Sequence, residues 1–159
     1  MTDALTPPPL TPGQLLARGA ARLLADHGFA CVAEFVPRPG LRVDVMALGR
    51  GGELWVVECK SGRADFAADH KWQNYIDYAD RFFWAVDEAF PTEILPEGTG
   101  LIVADRFGGE ILRYGPEAKL AAARRRALTL GFARTAALRL QGRADPAAPS
   151  VPGRLSAFL

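Results

Sequence analysis

Two acidic residues and one lysine interrupt segments that otherwise have the composition of buried strands. Asp44 lies within the apolar segment 41–48, and Glu58 and Lys60 lie two residues apart at the end of the segment 53–60. Because alternate side chains of a strand point to the same face, Glu58 and Lys60 are predicted to lie side by side. The sequence GRGG between the two segments predicts a hairpin turn, which would bring Asp44 close to Glu58.

These three side chains are costly to bury unless they are paired, so the simplest interpretation is an ion pair at the edge of a sheet. One lysine does not need two acids, however. A hard cation such as Mg²⁺, or Mn²⁺ in its place, would balance the excess charge, because it binds carboxylate and carbonyl oxygens. Asp44, Glu58 and the main-chain carbonyl of Cys59 are the candidate metal ligands.

Lys60 is a candidate catalytic residue in such a site. It would lie beside an attacking water and either assist its deprotonation or stabilise the negative charge that develops on a phosphate. A buried lysine can lose its proton, whereas an arginine keeps it at any working pH. The chain has 16 arginines and only three lysines, so a lysine here agrees with that need unless its position is due to chance.

The composition predicts one soluble domain. The chain has 159 residues, 49% of them hydrophobic, with 19 basic and 18 acidic residues, which is too apolar for disorder and long enough for a core. No segment approaches the ~18 apolar residues of a membrane span, and no secretory leader is visible. Two cysteines and two histidines form no disulfide framework or zinc pattern. We therefore expect a cytoplasmic protein.

Hydrophobic periodicity and turn residues predict a mixed α/β domain with a central sheet flanked by helices. The predicted helices are 12–27, 64–80 and 116–143, the last with a break near Gly131 left open. The predicted strands are 29–36, 41–48, 53–60, 82–86, 101–104 and 111–114. We expect a single domain over 11–143, between a disordered tail at 1–10 and a proline-rich tail at 144–159.

The segment 113–143 is strongly basic, with eight basic residues and one acidic residue. Such a cluster attracts the phosphate backbone of nucleic acids, so Arg124, Arg125 and Arg126 are candidate DNA-binding residues. On charge alone, a solvated helix face is an equally good interpretation.

The pattern of Asp44, thirteen intervening residues and then Glu58-Cys59-Lys60 resembles the D…(E)xK signature of the PD-(D/E)XK nuclease superfamily. The longer segment 42–86 resembles the MmcB family of DNA-repair-associated proteins within it. The resemblance implies a restriction-endonuclease-like core in α-β-β-β-α-β order, in a bacterial protein that acts on DNA. It assigns metal binding to Asp44 and Glu58 and the role of catalytic lysine to Lys60.

The resemblance also raises three accessory candidates. Many superfamily members carry a glutamate in the first helix; helix 12–27 has none, and Glu34 is either its substitute or a surface residue. Some nuclease families continue with a Q-x-x-x-Y helix, but Asp77 replaces the tyrosine that would follow Gln73. On the predicted helix 64–80, Lys71 and Gln73 could contact the scissile phosphate.

We therefore expect a Mg²⁺-dependent DNA nuclease that acts in repair, with other repair proteins as further partners. The alternative is a DNA-binding or protein-recruiting module that keeps the nuclease fold without catalysis. Metal-dependent cleavage separates these two hypotheses, whereas the sequence does not separate the first from a third, a nuclease that acts on RNA.

Overall fold

The computed structural model describes residues 7–147. Residues 1–6 and 148–159, which hold most of the two predicted tails, lie outside the described residues. No helix within the described range is long and apolar enough to cross a membrane.

A six-stranded mixed sheet forms the centre of the structure, with its strands in sequence order. The strands are β1 (Ala30–Arg38), β2 (Leu41–Leu48), β3 (Leu54–Cys59), β4 (Arg81–Val86), β5 (Gly100–Ala104) and β6 (Gly109–Arg113). The first three strands form an antiparallel meander, β3, β4 and β5 are parallel, and β6 returns antiparallel to β5. The predicted mixed α/β architecture with a central sheet is confirmed.

One face of the sheet is covered by α1 (Pro12–Asp26). The helix begins at a capping box, in which Thr11 and Gln14 each accept a hydrogen bond from the other's main-chain N–H. Its apolar side, including Leu16 and Leu24, packs against alternate residues of β3 and β4 such as Val57.

The opposite face is covered by α4 (Ala122–Ala144) and by two short helices, α2 (Arg63–Ala67) and α3 (Gln73–Ile76). Leu128 and Phe132 of α4 pack against this face, as does Tyr75 of α3. Every second residue of β3 and β4 therefore enters this second core, and Glu58 is on the same side.

The predicted continuous helix 64–80 is wrong, because the chain breaks after α2 and resumes at α3. At the break, the carboxylate of Asp69 accepts a hydrogen bond from the main-chain N–H of Lys71 and also turns inwards to an ion pair. The buried aromatic contacts of Trp72 with Phe82 and Trp84 hold the following residues against the sheet.

The last helix also differs from its prediction, since it begins at Ala122 rather than at 116. The preceding residues run beside the start of β4, where Asp80 accepts hydrogen bonds from the N–H groups of Ala118 and Leu120. The helix continues through Gly131 without a break. A Cβ at position 131 would lie in ordinary van der Waals contact with the ring of Phe35, at 3.5 Å, so the close approach of α4 to β1 does not require a glycine here.

Candidate active site

The acidic pair lies where β2 and β3 run side by side. The register pairs Val45 with Val57, which places Asp44 opposite Glu58. The main-chain N–H of Asp44 donates to Oε2 of Glu58 at 3.4 Å, and the N–H of Cys59 donates to Oδ2 of Asp44 at 2.7 Å. The hairpin thus holds the two carboxylates together through the main chain.

Lys60 follows the end of β3 and is buried, as is Glu58. Its main-chain N–H donates to the carbonyl of Ala85, which continues the pairing with β4. Its Nζ lies 2.8 Å from Oδ2 of Asp69 and 6.0 Å from the ring centroid of Trp84. The side chains of Lys60 and Asp69 are each 7% exposed. The ion pair expected between Lys60 and Asp44 or Glu58 is therefore made with Asp69 instead.

The cluster contains more negative than positive charge. Burial and the neighbouring charge of Asp44 raise the pKa of Glu58 to about 9, so that it holds a proton near neutral pH. Burial also raises the pKa of Asp44, although the hydrogen bond from Cys59 and the charge of Lys60 oppose this. Even with Glu58 neutral, the carboxylates of Asp44 and Asp69 face a single ammonium group, so the cluster is short of positive charge.

Lys60 remains an ammonium group in this setting. Burial alone would lower its pKa, but the hydrogen bond and charge of Asp69, with the charges of Glu58 and Asp65, outweigh burial and raise it. This favours the stabilisation of negative charge over the deprotonation of water, the two roles that the sequence left open for Lys60.

A divalent cation fits this donor set in kind. Mg²⁺ needs only one or two carboxylates from a protein, completes its shell with water and substrate oxygens, and would supply the missing positive charge. Asp44 and Glu58 offer such carboxylates, and the carbonyl of Cys59 lies at the same strand end. Within residues 7–147, no group of three or more His, Cys, Asp or Glu side chains is arranged as a metal site, so an all-protein cage is not formed.

The three accessory candidates lie at the surface. Glu34 has a positive φ of 50°, is half exposed, and pairs with Arg42 at 3.7 Å. Lys71 and Gln73 are exposed on either side of Trp72, at the entry to α3. The structure therefore does not bring any of these three side chains into the buried cluster.

The three candidate DNA-binding arginines lie at the opposite strand ends, near the starts of β3 and β4. Arg125 forms a bidentate ion pair with Asp80, in which the two guanidinium nitrogens lie 2.6 and 2.7 Å from the two carboxylate oxygens. It also donates a hydrogen bond to the carbonyl of Gly52. Gly52 and Asp80 precede β3 and β4, whereas Lys60 follows β3, so the two places are separated by about 20 Å. Arg124 donates to the carbonyl of Asp77 and lies over Tyr78, and Arg126 is exposed.

Sequence reasoning missed Asp69 and Asp80 as partners of charged groups. Both lie within the predicted helix 64–80 and were given no partner there, yet Asp80 is 2% exposed and the Asp69 side chain 7%. Asp80 accepts four further hydrogen bonds besides a main-chain one, two from Arg125 and two from the N–H groups of Leu54 and Leu120. The presence of aspartates inside an aromatic-rich segment is a signal, but their partners depend on the tertiary fold.

Comparison with known proteins gives a consistent family assignment. A family model described as DNA repair protein MmcB-like matches residues 11–147. Among solved structures, the SPO1766 protein of unknown function from Silicibacter pomeroyi is 58% identical, with a TM-score of 0.88 over 91% of this chain and 99% of that chain. No curated protein matches the sequence.

Proposed function

Because this chain belongs to the MmcB-like family of DNA repair proteins, we propose that it is a metal-dependent nuclease that hydrolyses phosphodiester bonds in DNA. The observation that carries the proposal is the contact of the half-buried Asp44 with the buried Glu58, two residues before the buried Lys60. Three ionisable groups at the end of a core strand are costly to keep, and a charged ligand would offset that cost.

The topology supports a PD-(D/E)XK core. The first helix precedes an antiparallel meander, β4 joins β3 in parallel, and the signature residues lie on β2 and at the end of β3. The signature and the order of elements agree with the same superfamily, and the short helices α2 and α3 stand in place of the single helix predicted between β3 and β4.

Asp44, Glu58 and the carbonyl of Cys59 would hold a Mg²⁺ or Mn²⁺ ion. When bound, such an ion supplies a Lewis acid for the phosphate and lowers the pKa of a coordinated water. Glu58 would lose its proton to act as a ligand, and Asp44 would be kept in place by the N–H of Cys59.

Lys60 would act by charge. Its ammonium group is fixed by Asp69 at 2.8 Å and backed by the ring of Trp84, so its position is set before DNA binds. A preorganised positive charge stabilises the negative charge that develops on the phosphate oxygens during hydrolysis.

The outer surface of α4 supports DNA as the substrate. The helix contains six arginines and no acidic residue. Because Arg125 is used to pair Asp80, the exposed Arg126 is a better phosphate-binding candidate than its neighbour. A contact about 20 Å from Lys60 would correspond to roughly six base pairs along a duplex, at 3.4 Å for each.

The proposal is tested with a panel of duplex, nicked, flapped and branched DNA, incubated with and without Mg²⁺ or Mn²⁺. We expect metal-dependent cleavage of at least one substrate by the wild-type protein. Lys60→Ala should abolish cleavage and keep DNA binding, measured by anisotropy. Absence of cleavage on every substrate with either metal would contradict the proposal.

One observation favours the alternative, a DNA-binding or recruiting module without catalysis. The Nζ of Lys60 is already engaged by Asp69, which lowers its availability to a substrate. DNA binding without metal-dependent cleavage would support this alternative.

A further inference from the structure

Phe107 stands out among the surface residues. At 70%, it is the most exposed large apolar side chain in the described part of the chain. It lies in the turn 105–108 that joins β5 to β6, where most residues would be polar. Among the described residues, the only contact recorded for its ring is with Arg106, whose guanidinium carbon lies 5.7 Å from the ring centroid.

The turn that carries Phe107 is stabilised by hydrogen bonds within it and by contacts with α1. Oδ1 of Asp105 accepts hydrogen bonds from the N–H groups of Phe107 and Gly108, at 2.7 and 3.0 Å. Arg22 of α1 donates to the carbonyl of Phe107 at 3.4 Å. Gly19 packs directly under the turn, since a Cβ there would lie 1.7 Å from the carbonyl oxygen of Asp105. The main chain is therefore fixed while the ring projects into solvent.

This turn lies at the same strand ends as the candidate active site. The parallel strands β3 and β5 have their carboxyl ends on the same side of the sheet, and Lys60 and Asp105 are the residues that follow them. Two strand spacings separate these strands, which is about 10 Å. Ser61, directly after Lys60, and Arg106 line one cavity of about 220 Å³.

The charges on the two sides of Phe107 differ. Arg106 and Arg22 lie beside Phe107, and Arg18 lies one helical turn before Arg22 on α1. On the other side, a groove of about 920 Å³ carries acidic residues, namely Asp87, Glu88, Asp105 and Glu110. These charges attract a phosphate backbone to the α1 side of Phe107 and repel it from the groove, so DNA that reaches both Phe107 and Lys60 must cross the strand ends from the α1 face to the face covered by α2 and α3.

We propose that Phe107 stacks on an unpaired base of the DNA that the candidate active site holds, while Arg106 and Arg22 contact the flanking phosphates. A rigid exposed aromatic ring next to arginines suits this contact, because every base presents a face on which a ring can stack. The substrate class is then DNA with an interruption of base pairing, such as a junction between duplex and single strand. This inference rests on the proposed function, since it requires DNA at that edge.

The test compares binding of two fluorescent DNAs in EDTA, which removes any contribution of cleavage. One DNA is a junction with 2-aminopurine at the first unpaired position, and the other is the fully paired duplex. The variants are Phe107→Ala, Phe107→Trp, and Leu112→Ala, which removes a 55% exposed apolar side chain from β6 as a matched control. Equal melting temperatures establish that each variant folds, which we expect because both side chains are exposed.

Phe107→Ala should weaken junction binding at least about fivefold, the effect of losing one base–aromatic stack, and should weaken duplex binding much less. It should also abolish the quenching of 2-aminopurine, whereas Phe107→Trp and Leu112→Ala should retain both binding and quenching. Equal junction binding by Phe107→Ala and Leu112→Ala would overturn the inference. Phe107 would then be a candidate contact for a protein partner. If the wild-type protein binds neither DNA, the proposed function itself fails.

Discussion

Lys60 and Asp69 form a buried ion pair, with Nζ and Oδ2 2.8 Å apart and each side chain 7% exposed. Lys60 follows the last residue of β3, while Asp69 comes from the break between α2 and α3. The pair therefore connects the end of a core strand to the segment that covers it, and it keeps the lysine charged beside Asp44 and Glu58.

Asp69→Asn should destabilise the protein by about 3 kcal/mol, because it leaves a buried ammonium group without its partner. Thermal unfolding should show this as a fall in Tm of roughly 6–12 °C. The double variant Lys60→Met with Asp69→Leu, which replaces both charges by apolar groups, should recover most of the loss. A loss of stability that is the same in the single and double variants would contradict a coupled pair.

Glu58→Gln should make the metal-free protein less sensitive to alkaline pH. The pKa of Glu58 is raised from its ordinary 4.5 to about 9, so its neutral form is the one that the fold stabilises. That stabilisation is fully present below about pH 4.5 and is lost as the pH rises through 9. Glutamine stays neutral throughout. In EDTA, the Tm of Glu58→Gln should exceed that of the wild-type protein by at least about 3 °C at pH 9.5, with a smaller difference at pH 5. A difference that does not change with pH would argue against a buried, protonated Glu58.

Arg125→Ala should act on stability. Asp80 is 2% exposed and receives both prongs of the Arg125 guanidinium, so removal of the arginine leaves a buried carboxylate with main-chain partners only. We expect a loss of about 3 kcal/mol by denaturant unfolding. A loss below about 0.5 kcal/mol would show that this ion pair contributes no more than an exposed one and would contradict the prediction.

Arg126→Ala should act on DNA binding with little change in stability, because its side chain is exposed on the helix that carries six arginines and no acid. The expected result is weaker binding to every DNA sequence, with a salt dependence that is shallower by about one unit in log–log slope. Titrations at several salt concentrations measure both effects. An unchanged slope would identify this face of α4 as merely solvated.

The pairing of Asp44 with Glu58 was accessible from sequence because it depends on local rules. Strand alternation and the glycine-rich turn determine which side chains face each other across a hairpin, and the structure places Asp44 opposite Glu58 in this way. The capping of α1 by Thr11 is local as well. Both features involve residues close together in the chain.

The partners of Lys60 and Arg125 were not accessible in the same way. The segment 64–80 has helical spacing, but the inward turn of Asp69 and the packing of Trp72 on Trp84 outweigh local helical preference. The pairing of Arg125 with Asp80 spans 45 residues. Such long-range contacts follow from the packing of α4 and the α2–α3 segment on the sheet and not from any local pattern.

The central claim is that Asp44 and Glu58 form a divalent metal site beside Lys60. Calorimetric titration of Mn²⁺ into the wild-type protein, into Asp44→Asn, and into Asp26→Asn as a control tests it directly. Asp26 is an exposed aspartate at the end of α1. We predict one Mn²⁺ per chain in the wild-type protein and in Asp26→Asn, and loss of binding in Asp44→Asn. Equal Mn²⁺ binding by Asp44→Asn and the wild-type protein, or no binding by either, would contradict the claim.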